Sequence, residues 1–188
     1  MMFSVFKYKD YTLFWLGGAF SNIGMWTLIH ARLWLMNDLT DSEIMLGLVT
    51  MAGLGPTILL SVWGGVLADR INRLKLVMIS RACFSLLAFL TAGLIMSNII
   101  APWHLLAISL GTGVLLSFDI PSRQAMLPNL VNRSHLVNAI ALYSFLSVAS
   151  SILGPGFFGP LVNLAGIEGL FILIGLSYLL TVYMMSMM

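Results

Sequence analysis

Long apolar runs, each broken by a short polar cluster, set the pattern of this chain. None of the runs shows the strict alternation of a half-buried strand, and all are long enough for helices that cross a bilayer. The breaks divide the chain into six segments, at about 11–36, 44–68, 76–97, 103–120, 136–164 and 169–188. The acidic link 37–43 offers Asp41 or Ser42 as a helix cap. Gly55-Pro56 interrupts the second segment, while Gly154-Pro155 and Pro160 interrupt the fifth. Pro102 suits the first turn of the fourth. A longer polar stretch, from Pro121 to about His135, separates the fourth segment from the fifth. The expected fold is therefore an all-α membrane protein, one bundle of six transmembrane helices over residues 1–188.

Composition agrees with that pattern. Of the 188 residues, 60% are hydrophobic and 9% charged, with a mean hydropathy of +1.00. A water-soluble domain needs more polar surface than this. The lipid bilayer is the expected surrounding. No basic patch suits nucleic acid, and the lone Cys83 gives neither a disulfide framework nor a metal site. No nucleophile–base pair, phosphate loop or metal-ligand cluster appears, so neither an enzyme nor a cofactor is expected.

Charge placement sets the expected orientation. Lys7 and Lys9, then Arg70, Arg73 and Lys75, then Arg123 and Arg133 flank alternate ends of the segments. The remaining links carry only Asp38, Asp41, Glu43 and Glu168. Basic loops stay in the cytoplasm, which predicts that both termini lie inside. No Asp or Glu is expected deep within a span. Asp69 and Asp119 fall at cytoplasmic ends on this reading.

Leu54-Gly55-Pro56 and Leu153-Gly154-Pro155 echo one another in the second and fifth segments. Matching interruptions in two halves of opposite topology mark the moving or binding region of a transporter.

The stretch Gly64-Gly65-Val66-Leu67-Ala68-Asp69-Arg70-Ile71-Asn72-Arg73-Leu74-Lys75 resembles the signature loop of the major facilitator superfamily. Further motifs resemble one branch of it, that of the enterobactin exporter and the macrolide and tetracycline efflux proteins. They are Ser117 to Pro128, Asn138 to Leu142, Phe14-Trp15-Leu16 and Ser21-Asn22-Ile23-Gly24. The resemblance implies the N-terminal six-helix half of that fold, a 3+3 inverted repeat, in the plasma membrane of a bacterium. It also implies secondary active efflux of small, largely apolar compounds, drug- or siderophore-like, by proton antiport. The partners would then be the substrate and either a missing C-terminal half or a second copy. The other readings are a homodimeric half-transporter, and a membrane subunit or remnant that transports nothing.

Three groups of candidate residues follow. Gly65, Asp69, Arg70, Arg73, Asp119 and Arg123 would form a cytoplasmic gating latch, or else a topology anchor. Gly64 and Gly65 permit close helix approach. Asn22, Trp26 and His30 follow Gly18 at four-residue spacing and share a helix face. That face either lines a cavity, with His30 titrating near neutral pH, or packs. Arg32 lies on another face and either serves transport or snorkels to the headgroups. By resemblance, Ser150, Gly154, Pro155 and Gly159 match an antiporter motif, with Phe158 where glycine is expected. Coupling would fall to His30 or to an acid in the other half.

Overall fold

The structure, a computed structural model, describes residues 2–188, except for the side chains of Met2 and of residues 67–70. A short 3-10 segment, Met2–Lys7, leads into α1 (Lys9–Leu39). There follow α2 (Glu43–Arg70), α3 (Arg73–Met96), α4 (Pro102–Leu130), a 3-10 turn at Arg133–His135, and α5 (Leu136–Ser186). Local chemistry places the ends. The Asn72 side chain accepts from the Lys75 backbone N–H and caps α3. Asn98, with φ 53°, ends that helix in the left-handed conformation. Pro102 opens α4.

Helix α4 does not stop at Ile120. It runs through Pro121 and Pro128 to Leu130, so Asp119 and Arg123 lie inside a helix rather than at its cytoplasmic end and in a loop. Proline inside a membrane helix is tolerated where neighbouring helices satisfy the freed carbonyl, and α2 lies against α4 here.

Helix α5 has 51 residues, roughly 75 Å of rise, far more than a bilayer core of about 30 Å. Gly166, at φ 74° and ψ 172°, breaks it into two arms, 136–165 and 167–186. Contacts with α1 give their directions. Tyr11 donates to the Ala139 carbonyl (3.0 Å), Trp15 to Leu142 (3.2 Å) and Thr27 to Gly154 (2.9 Å). The offset holds at 127 or 128 positions, so α1 and the first arm run parallel. Along the second arm the order reverses: Thr181 donates to the Gly17 carbonyl (2.9 Å), while Gly24 faces Ser177. That arm is antiparallel to α1. It also packs on α3, where Ser85 donates to the Gly175 carbonyl (2.9 Å).

Helices α2 and α4 form a second intimate pair with a reciprocal contact. Proline has no N–H, so Pro121 leaves the Ser117 carbonyl, and Pro56 the Ala52 carbonyl, without a helical donor. Each freed carbonyl faces a glycine of the opposite helix. A side chain at Gly64 would overlap the Ser117 oxygen, and one at Gly113 would meet the oxygens of Gly53 and Ala52 at 2.7 and 2.9 Å. Gly65, expected to share this role, has nothing within 4 Å of where a Cβ would sit. Close approach at the start of the signature loop is therefore the work of Gly64.

The bundle is apolar outside, and its mostly apolar core also holds polar and charged side chains. Ile58, Leu59, Val62 and Trp63 of α2 are exposed, whereas Ser21, Asn22, Arg32, Arg81, Asp119 and Arg123 are buried. Among the described residues, Glu43–Val66, Arg73–Met96, Pro102–Leu130 and Arg133–Ser186 are long and apolar enough to cross a membrane. The chain is thus an all-α membrane protein with several membrane-crossing helices.

Candidate functional site

Buried between the helices lies an ionic cluster. Asp119 and Arg123 are four residues apart on α4, which places them on one helix face. Asp119 Oδ2 is 2.8 Å from Arg123 Nε and 3.0 Å from Arg81 Nη2 of α3. The Arg81 contact is a directed hydrogen bond; the Arg123 contact is an ion pair without hydrogen-bond alignment. Arg123 Nη1 then donates to Asn22 Oδ1 of α1 and to the Tyr143 hydroxyl of α5, each at 3.0 Å. The Arg81 guanidinium also lies over the rings of Phe84 (5.7 Å) and Tyr178 (5.6 Å), a cation–π arrangement suited to a desolvated arginine. Phe14 stacks on Tyr143 at 5.7 Å between centroids. One carboxylate thereby ties α1, α3, α4 and both arms of α5.

Asp119 is fully buried within α4, against the expectation that no acid lies inside a span. Its partners among the described residues are Arg81 and Arg123. Arg123 accordingly leaves the set of loop charges that orient the chain. Arg81 was missed. Its sequence signal was a single arginine in the apolar run Leu76 to Leu90, and an ionisable residue so placed is a site candidate by default.

The other candidates scatter. Asp69 and Arg70 lie outside the described side chains. Arg73 Nη1 donates to the Ala125 carbonyl (2.8 Å), joining the start of α3 to the end of α4. Trp26 and His30 do not join the cluster: Trp26 packs at the α1 crossing with Gly154, and His30 Nδ1 lies 2.8 Å from the Trp26 carbonyl of its own helix. Arg32 does not snorkel; it is buried inside the bundle. Ser150 is buried with its hydroxyl unpartnered among the described residues. A side chain at Gly154 would meet Trp26 Cβ at 2.5 Å, so this glycine sets the α1 crossing. Gly159 has nothing within 4 Å, and Phe158 packs beside Trp34. Pro155 is half-buried next to Gly154 inside the helix.

Removing the Tyr143 hydroxyl tests one spoke of the cluster. Tyr143→Phe keeps the ring on Phe14 but deletes a hydrogen bond to a charged donor. A loss of about 1.5 kcal/mol is expected, the low end for such bonds because Tyr143 is half-buried. Denaturation in mixed micelles measures it.

A lipid-facing apolar surface around a charged interior is the construction of a multi-pass membrane protein. Residues 1–188 match the family model described as a transmembrane secretion effector. The chain belongs to that family, within the major facilitator superfamily, whose members are membrane transport proteins and not enzymes. It is similar to the staphyloferrin A transporter of Staphylococcus aureus (strain NCTC 8325 / PS 47), at 27% identity over 141 residues. That match covers 74% of this chain and 36% of the relative, so the chain spans well under two thirds of that protein. No solved structure matches.

Proposed function

We propose that the chain is the N-terminal half of a twelve-helix secondary transporter that exports small, largely apolar compounds, drug- or siderophore-like, in exchange for protons. The observation that carries this reading is the way the helices pair. Helix α1 lies parallel to the first arm of α5, and α2 lies against α4. An inverted 3+3 repeat relates helix one to four and two to five, which maps one pair onto the other. Gly154 sits at the first crossing, and Pro56, opposite Gly113, at the second. On this reading the two arms of α5 are the fifth and sixth spans. The share of the relative that is matched fits half of a longer transporter.

Lys7, Lys9, Arg73, Lys75 and Arg133 gather at one end, where Tyr8 meets His135 and Arg73 meets Ala125. Both termini then face the cytoplasm of a bacterial inner membrane. The loop Gly65-Asp69-Arg70-Arg73 acts there as an outer latch, and Asp119–Arg123 as the inner tie.

Inverted membrane vesicles carrying the full transporter provide the test. An imposed interior-acid gradient should drive uptake of the dye Hoechst 33342. Asp69→Asn should abolish that uptake while membrane insertion stays normal. Uptake no greater than in vesicles without the protein would overturn the reading.

A further inference from the structure

The buried ionisable groups do not balance. Among the described residues, Arg32, Arg81 and Arg123 are buried against one carboxylate, Asp119. Asp119 is already engaged by two of the three. Arg32 is 5% exposed, and its Nε has no hydrogen-bond partner among the described residues. A guanidinium without a carboxylate partner in a bilayer interior is costly, and such groups are kept near a counter-charge.

Arg32 borders a cavity of about 50 Å³ between α1, α2 and α4. A second unsatisfied group borders the same space: the Ser109 hydroxyl is buried and also lacks a partner among the described residues. Thr112 adds a third polar side chain, and Leu28, Val49 and Leu116 make the rest of the wall apolar. A water needs roughly 10–15 Å³ by this measure, so the space accepts a group of a few heavy atoms. Arg32 and Ser109 both line this cavity, and each carries a buried donor atom without a partner among the described residues.

We propose that the α1–α2–α4 cavity binds the carboxylate of a small molecule whose remaining body is apolar. Arg32 supplies the charge and a planar fork of donors matched to two carboxylate oxygens. Ser109 supplies a neutral donor beside it. The assignment rests on the transport reading and sharpens it: the largely apolar cargo includes compounds that carry one acidic group.

Salicylate and its neutral amide, salicylamide, differ in charge at nearly constant shape. With the full transporter in phosphatidylcholine nanodiscs, salicylate at ten times its dissociation constant should raise the melting temperature by about 1.5–3 °C. Salicylamide should not. Arg32→Gln should abolish the shift, Arg32→Lys should retain part of it, and Ser109→Ala should weaken binding about fivefold. Equal shifts by acid and amide, or an undiminished shift in Arg32→Gln, would overturn the proposal. So would stabilisation that comes only from adding phosphatidylglycerol, since the counter-ion would then be a lipid headgroup. If Arg32→Gln does not fold, an undiminished shift in Ser109→Ala overturns it, and the fivefold loss there supports it. The readout is binding alone, so failure of dye uptake counts against export and leaves this assignment standing.

Discussion

Asp119→Ala should destabilise the bundle by about 3–5 kcal/mol, the cost of removing one partner from a buried ion pair. The effect comes from what is left behind. Without the carboxylate, Arg81 and Arg123 remain buried side by side in the same interior, two like charges without a counter-ion. Asp119→Asn keeps an acceptor oxygen but not the charge, and should fall between alanine and the wild type. Joint replacement of Arg81 and Asp119 by methionine and leucine removes both charges together. That variant should recover much of the loss, because well-packed apolar residues often match a buried pair in stability. Arg123 keeps Asn22 and Tyr143 as partners in it. Unfolding in mixed micelles, with the double variant set against both single ones, gives the coupling energy. Independent, additive effects would show that the cluster is not one unit.

Gly64→Leu should be the second severe change. Overpacking in a well-fitted interior costs about 1–3 kcal/mol and occasionally more. Here the obstacle is the backbone oxygen of Ser117, which cannot rotate aside as a side chain would. A loss at or above about 3 kcal/mol is expected, with poor expression in the membrane. Gly65→Leu is the control, since the neighbouring glycine has open space around it; it should change stability by less than about 0.5 kcal/mol. Thermal unfolding in detergent separates the two. Equal losses would mean that backbone flexibility, rather than the contact with α4, makes glycine necessary there.

Much of the fold was legible because a bilayer imposes a simple rule: long apolar runs become helices. Pro121 misled, since in water-soluble proteins a proline after Asp119-Ile120 commonly marks a helix boundary. Inside the bundle a neighbouring glycine accommodates the carbonyl that the proline frees, and α4 continues. The candidate site was legible in part. Asp119 and Arg123 stand together in the expected latch and Asn22 apart from them on a helix face, and the structure joins all three. What one dimension could not give was the third helix. Arg81 comes into register with Asp119 only once α3 packs on α4, and no spacing along the chain encodes that meeting. Asn22, Trp26 and His30 do not meet in one cluster for a related reason. Four-residue spacing drifts around a helix, so Asn22 faces the cluster while His30 bonds within its own helix.

The parallel register of α1 with the first arm of α5 bears on how the protein is made. At about 5–20 residues per second, the 127 positions between Thr27 and Gly154 take a ribosome roughly 6–25 s to span. Throughout that interval Thr27 lacks the Gly154 carbonyl to which it donates. Helix α1 is also absent from the helices that qualify, by length and hydropathy, as spans in their own right. It is thus less able than the helices that qualify to hold its place alone. Its retention falls to the insertion machinery until the later helices arrive.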